Sequence, residues 1–213
     1  MELLRKNIQL TNDKKIFFAS DYHFWHTNVI KFDKRPFLFV NETGYEKGNL
    51  DVLEMNESLI KNWNDTISPE DEVYYLGDFA FASRRRTHEL AWRLNGKINI
   101  IAGNHDRLRD LNNTGKFKGI YDYGELWIRS ENEPTQMICM SHYPMYVWNK
   151  HHTGSWMLHG HCHNSLRAKY PEIYNRKIED MGANHWDYKP VEYRTLKVIM
   201  DSKSIETVDH HGD

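Results

Sequence analysis

Five short polar clusters hold the residues able to do chemistry: Asp21-Tyr22-His23, Gly77-Asp78, Gly103-Asn104-His105-Asp106, Ser141-His142 and Gly160-His161-Cys162-His163. Each sits just after an apolar stretch. Together they supply three Asp, one Asn and five His, an oxygen and imidazole set suited to first-row divalent ions. The set is large enough for two ions, and a pair of ions favours in-line displacement at phosphorus. Asp78 is the bridging candidate, because a carboxylate has two oxygens to share and Gly77 lets the backbone turn tightly before it. Asp21, His23 and His163 would complete one ion, and Asn104, His142 and His161 the other. A water between the two would lose a proton near neutral pH and become the nucleophile. His105 is left over from the coordination count. It is assigned to the chemistry, protonating or stabilising the leaving oxygen, with Asp106 orienting its ring.

The chain between these clusters must position them. A β-type run over 14–20, centred on Ile16, Phe17 and Phe18, delivers Asp21 and His23. In extended backbone their spacing of two puts both side chains on one face. The stretch 25–32 reads as a short helix ended by Arg35-Pro36. Asn49 reads as the N-cap of a helix running to about Thr66, with Leu53, Met55, Leu59, Ile60, Trp63 and Ile67 as its apolar stripe. A strand over 72–76 delivers Asp78. A helix over 85–94 turns Leu90, Ala91 and Leu94 inward and stops at Asn95-Gly96. A strand over 97–102 then delivers Asn104.

This β, α, β, α, β alternation predicts an α/β fold with a partly parallel sheet. In such sheets ligands collect beyond the carboxyl ends of the strands. The second half predicts strands over 120–128, 136–141 and 156–161, with another from Leu166 onward. The stretch 191–200 fits helix and strand nearly equally. His159, His161 and His163 alternate along one segment, and Cys162 is expected to point away from its two neighbours.

Bulk properties set the frame. The 213 residues are 39% hydrophobic and 27% charged, which suits one globular domain spanning 1–213. The net charge of −2 creates no long-range field that would advertise a nucleic-acid or membrane partner. It leaves room for a small phosphorylated substrate such as a nucleotide. Two cysteines, Cys139 and Cys162, make no disulfide framework, and the start lacks a signal-peptide h-region. Both point to a cytoplasmic protein. No apolar run approaches the roughly eighteen residues of a membrane span.

In order and spacing, Asp21-x-His23, Gly77-Asp78, Gly103-Asn104-His105-Asp106, Ser141-His142 and Gly160-His161-x-His163 resemble the calcineurin-like metallophosphoesterase superfamily. The likeness runs from residue 21 to residue 163, and every metal-ligand position of the pattern is filled. The stretch His23-Phe24-Trp25-His26-Thr27-Asn28, then Arg35-Pro36-Phe37, and Leu94-Asn95-Gly96-Lys97 are similar to the small bacterial and bacteriophage branch. The resemblance implies a four-layer α/β/β/α sandwich of two mixed sheets flanked by helices, with metals at one sheet edge. It implies a di-metal phosphoesterase acting on a phosphomonoester or phosphodiester, with manganese the first choice among Mn, Fe, Ni, Co and Zn. The alternative it carries is a scaffold of the same fold that binds a protein partner without turnover. Protein phosphatases of the superfamily carry Gly-Asp-x-x-Asp-Arg-Gly and Gly-Asn-His-Glu. Here Gly77-Asp78-Phe79-Ala80-Phe81-Ala82-Ser83 and a motif ending in Asp106 stand instead, which favours small substrates.

Other residues have plainer readings. His26 and Asn28 suit substrate contact or a helix-start hydrogen bond equally. Arg84, Arg85 and Arg86 suit a solvated helix start better than a phosphate site. His151 and His152 occupy a polar loop that reads as pocket wall or surface, and His210-His211 make a weak site. Phe24, Trp25, Phe79, Phe81, Tyr143 and Trp148 could stack a nucleobase, although core packing accounts for most of them.

Overall fold

The computed structural model describes residues 2–11, 14–41, 44–131 and 133–208; His210 and His211 lie outside them. The chain forms a mixed α/β fold in which two mixed sheets pack together and are flanked by helices. One sheet contains β2 (Ile16–Ala19), β5 (Glu72–Tyr75), β6 (Lys97–Ile101), β7 (Gly119–Tyr121) and β12 (Val191–Glu192), in the order β12-β2-β5-β6-β7. Its pairs are parallel except for β12 on β2. The other contains β1 (Leu3–Gln9), β8 (Tyr123–Arg129), β9 (Gln136–Met140), β10 (Trp156–His159) and β11 (Ile178–Asp180), in the order β1-β8-β9-β10-β11. Here only β8 and β9 run antiparallel. A separate antiparallel pair joins β3 (Leu38–Asn41) to β4 (Gly44–Leu50).

β2, β6, β9 and β10 are short runs buried almost throughout, as strands covered on both faces require, whereas β1 alternates buried and exposed residues. Phe18, Tyr74, Leu76 and Ile101 of the first sheet meet Leu4, Ile8, Leu126, Ile138, Met140 and Leu158 of the second in one core. The outer face of the first sheet is covered by α1 (Thr27–Phe32), α2 (Val52–Thr66), α3 (Arg84–Trp92) and α4 (Leu108–Asn112). On α2, Met55, Leu59, Ile60 and Trp63 form the buried stripe, each contributing about 1.5–3 kcal/mol through burial. The outer face of the second sheet is covered by Trp148, Tyr174 and the partly buried Leu166.

Several expectations are corrected. The helix read from Asn49 starts at Val52, because Asp51 provides the cap: its carboxylate accepts from the Glu54 N–H. Leu53 is exposed. The strand read over 120–128 is two strands, β7 and β8, in different sheets, parted at Asp122. The segment from Leu166 is a helix, α5 (Ser165–Lys169). The stretch 191–200 holds both alternatives in succession, β12 and then α6 (Tyr193–Asp201), whose Leu196 and Met200 are buried. β1 carried no expectation, yet it pairs with β8 along its whole length.

Glu72 ties the two sheets together. It accepts from Lys6 Nζ of β1 at 3.1 Å and from the Tyr74 hydroxyl at 2.9 Å, and it pairs with Lys14 at 3.1 Å. Burial works to raise its pKa, but the bonds from Lys6, Lys14 and Tyr74 outweigh burial and hold it below the ordinary 4.5. A carboxylate lowered by folding stabilises the native state above its unfolded pKa and loses that effect as pH falls through its folded pKa. Glu72→Gln should therefore cost about 1–3 kcal/mol near pH 7. The gap to wild type should close below about pH 4. Urea denaturation across pH checks this, and a gap of constant size would contradict it.

Candidate metal centre

All five clusters lie at carboxyl ends of strands, as the alternation predicts. Asp21 follows β2, Asp78 follows β5 and Asn104 follows β6, while His142 follows β9 and His161 and His163 follow β10. Three ends come from one sheet and two from the other, and side chains join them across the gap. His142 Nδ1 lies 2.8 Å from the Leu76 carbonyl, and the His161 N–H donates to both Asp21 oxygens at 3.0 and 3.2 Å.

The backbone at these ends is not extended. Asp21, His23, Asp78, His161 and His163 all have φ between 46° and 68°, left-handed values that cost a non-glycine residue on the order of 1–2 kcal/mol each. The expectation that Asp21-x-His23 presents one strand face is thus corrected, as is the strand reading around Cys162: left-handed turns, not pleats, bring these side chains together. Cys162 is turned within that loop and joins neither potential ligand group; burial pushes its thiol up to about 11. Glycine is needed where the turns touch. Gly77 has φ +96°, and a Cβ there would lie 2.6 Å from both Gly103 N and His142 Nδ1. A Cβ on Gly160 would lie 2.1 Å from Ser20 Oγ.

Buried polar side chains pin each strained turn. Arg35, expected only to end α1, donates to the carbonyls of Asp21 at 2.8 Å and Tyr22 at 2.7 Å. The Tyr75 hydroxyl accepts from Tyr22 N–H at 2.8 Å and donates to the Asp78 carbonyl at 3.3 Å. Asn56 of α2 accepts from the Trp25 N–H. Asp180 accepts from the N–H groups of Asn164 and Gly182, which anchors the turn bearing His163. None of these four was singled out for the site from sequence. Asn56, Tyr75 and Asp180 carry no motif, and their partners are set by how the elements pack, so only the fold reveals them.

Seven side chains converge. Among the described residues, two groups able to hold a metal ion are Asp21, His23 and His163, and Asp21, Asp78 and His142, each with ligand atoms within 4.8 Å of one another. His23 Nε2 and His163 Nε2 are 3.0 Å apart. Asp78 Oδ2 lies 3.6 Å from His23 Nε2 and 3.5 Å from His142 Nε2, so one carboxylate oxygen faces both groups. Asn104 Oδ1 lies 2.9 Å from His142 Nε2 and 3.0 Å from His161 Nδ1. Thus Asn104, His142 and His161 meet on one side, and Asp21, His23 and His163 on the other.

The carboxylates favour positive charge at His163, a proton that an ion bound to its ring nitrogen would have to displace. Burial works against a charged His163, but its hydrogen bonds to Asp21 and Asp33, and their charges, outweigh burial and hold its pKa up at about 10. Burial drives His23 down to about 3, keeping it neutral. The donor set of carboxylates, amide oxygen and imidazoles fits divalent first-row ions.

His105 stands exposed at the mouth. Its N–H donates to Asp78 Oδ1 at 2.9 Å, and its ring lies 4.7 Å from Phe81 and 5.9 Å from His23 between centroids. Asp106 is placed otherwise than expected. Its carboxylate accepts the N–H groups of Asp78, Phe79 and Gly103, so it clamps the Asp78 turn to the Gly103 turn rather than orienting the His105 ring. Burial raises its pKa to about 6.

The remaining candidates divide. His26 makes no side-chain cap bond and instead stacks on Phe81 at 4.0 Å, beside His23. Asn28 is exposed on α1. Arg85 pairs with Glu89, and Arg86 lies over the Trp25 ring at 4.5 Å. His151 is neither pocket wall nor surface: it is buried against Trp148, with Nδ1 3.1 Å from the Trp148 carbonyl. His159 is a buried hydrogen-bonded histidine, bridging the Gly160 carbonyl and the Tyr174 hydroxyl. Phe24, Phe79 and Trp148 are core. Phe81 and Tyr143 are exposed beside His105 and His161 respectively.

No protein-family model matches the chain. The Gene 66 protein of Mycobacterium phage L5 is 26% identical over 202 residues, covering 80% of this chain and 86% of the phage protein. A crystal structure of the protein of unknown function AQ665 from Aquifex aeolicus superposes with a TM-score of 0.63 at 23% identity, covering 88% of this chain and all of that one. That likeness supports the fold. The uncharacterized protein MJ1445 of Methanocaldococcus jannaschii is 32% identical over 200 residues, covering 92% of this chain and 97% of its own length. At that identity and coverage, the chain belongs to the same family as MJ1445.

Proposed function

We propose that the protein is a two-metal phosphoesterase of the calcineurin-like metallophosphoesterase type, hydrolysing a phosphomonoester or phosphodiester of a nucleotide or similar small molecule. The observation that carries this reading is Asp78 Oδ2, set 3.6 and 3.5 Å from imidazole nitrogens of the two ligand groups. Asp21, His23 and His163 would hold one ion and Asn104, His142 and His161 the other, with Asp78 shared; manganese is the first choice. When bound, two such ions supply Lewis acidity to the phosphoryl oxygens and lower the pKa of water.

The protein's own groups do the rest. His105 has its backbone fixed by Asp78 and its ring free at the mouth, where it can protonate the leaving oxygen. Asp106 keeps the Asp78 and Gly103 turns in register, and so holds the shared carboxylate and Asn104 at a fixed separation. A cleft of about 510 Å³ lined by Phe81, Ser83, Asn104, His105 and Arg107 opens beside the centre. A second of about 410 Å³ is lined by Asp33, Lys34, His161, His163 and Asn184. Both volumes suit a small phosphoester, and Arg107 and Lys34 put one cation in each. The layering proposed is α/β/β/α, with the metals at one sheet edge. No described helix is long and apolar enough to cross a membrane. Cys139 and Cys162 are both free, which supports a reducing, cytoplasmic setting.

Protein loaded with manganese should hydrolyse p-nitrophenyl phosphate or its bis ester and lose that activity on chelation. The natural class would then emerge from mono-, di- and cyclic nucleotides. No turnover of any of these with Mn, Fe, Ni, Co or Zn would overturn the proposal.

A further inference from the structure

Asp33 and Arg35 lie outside every motif that suggests the metal centre, yet they hold half of it. Asp33 Oδ2 is 2.7 Å from His163 Nδ1. The same oxygen receives Arg35 Nη2 at 3.1 Å and Nε at 3.3 Å. Arg35 is buried, and its remaining donors go to the Asp21 and Tyr22 carbonyls and the Met55 sulfur. One guanidinium therefore grips the turn that carries Asp21 and His23 and also the carboxylate that orients His163. Its planar fork suits this role in a way a lysine ammonium does not. With Nδ1 facing Asp33, the other His163 nitrogen, Nε2, is left to face Asp21 Oδ1 at 3.5 Å and His23 Nε2 at 3.0 Å.

The other ligand group is held differently. His142 is anchored by the Leu76 carbonyl. Asn104 and His161 are exposed and bond to each other. Among the described residues, no hydrogen bond or ion pair joins Asp33 or Arg35 to Asn104, His142 or His161.

We infer that Asp33 and Arg35 are positioning residues which preset the Asp21, His23 and His163 site, and that Asp33, acting through His163 alone, sets the affinity for the ion there without setting the affinity for its neighbour. A carboxylate behind a ligating imidazole fixes the ring's orientation and raises its basicity, and loss of such a partner costs about 10–100-fold in metal affinity. The inference rests on the two-metal reading of the site.

Calorimetric titration of the metal-free full-length protein with manganese tests it. Wild type should bind two ions per chain. Asp33→Ala should weaken one ion about 10–100-fold and leave the other within about twofold. Asp33→Asn, which keeps an acceptor but not the charge, should fall between. Arg35→Lys should weaken the same ion, and combined with Asp33→Ala should add less than the sum of the two, as expected of groups acting through one network. His161→Ala should weaken the opposite ion. A purely structural role would weaken both ions together and lower the melting temperature of the metal-free protein in proportion. Both ions weakened equally by Asp33→Ala, or neither, with wild type binding two, would overturn this inference alone. Wild type binding no ion would overturn the two-metal reading and this inference with it.

Discussion

Asp78→Asn is expected to lower turnover on the order of 10⁴-fold, or about 5.4 kcal/mol of transition-state stabilisation, and to weaken both ions together. Asn is the informative replacement because it tolerates the left-handed backbone at φ 58° better than Ala. The loss should therefore report on the carboxylate rather than on the turn. The charge sits 2% exposed, and it helps to raise the pKa of Asp106. Removing it should leave the metal-free protein as stable as wild type or more so, the trade-off expected where a strained, charged site serves function. Thermal denaturation with and without manganese, beside steady-state kinetics, reads both effects. Weakening of one ion only would show that Asp78 is not shared.

His105→Ala is expected to lower turnover about 10²- to 10⁴-fold, the range for a general acid, with both ions retained. The separation follows from the geometry. His105 touches Asp78 through its backbone N–H, which alanine keeps, and its imidazole belongs to neither ligand group. The size of the loss should also depend on the leaving group. A nitrophenolate leaves with little help, so its ester should lose least, whereas an alkyl phosphoester needs the proton and should lose most. Equal losses for both would assign His105 to binding rather than to proton transfer.

Apolar runs and punctuation made the positions of the strand ends legible in the sequence. β2, β5, β6, β9 and β10 each end within two residues of the expected place, because a short buried run bounded by polar residues has few other ways to fold. The convergence of their ends was legible too, through the rule that places sites beyond parallel strands. The conformation of the ends was not. Left-handed φ at Asp21, His23, Asp78, His161 and His163 defies local propensity. It persists because Arg35, Tyr75, Asp106 and Asp180 pin the turns from elsewhere in the chain, and local rules tend to fail at such functional sites. Asp106 was read as a partner of the adjacent His105 because adjacency was all the sequence offered, whereas its acceptor role depends on Asp78 arriving from another strand. Arg35 was read as the end of a helix for the same reason, and nothing local marked Asp33. The single strand expected over 120–128 fails because nothing local marks the passage from one sheet to the other at Asp122.

The central claim is that two ions share Asp78 and that turnover requires both. Turnover of bis(p-nitrophenyl) phosphate, followed as manganese is added to the metal-free protein, tests it most directly. Activity should saturate at two equivalents per chain and return to background on chelation. Saturation at one equivalent, or two ions bound without turnover, would contradict it.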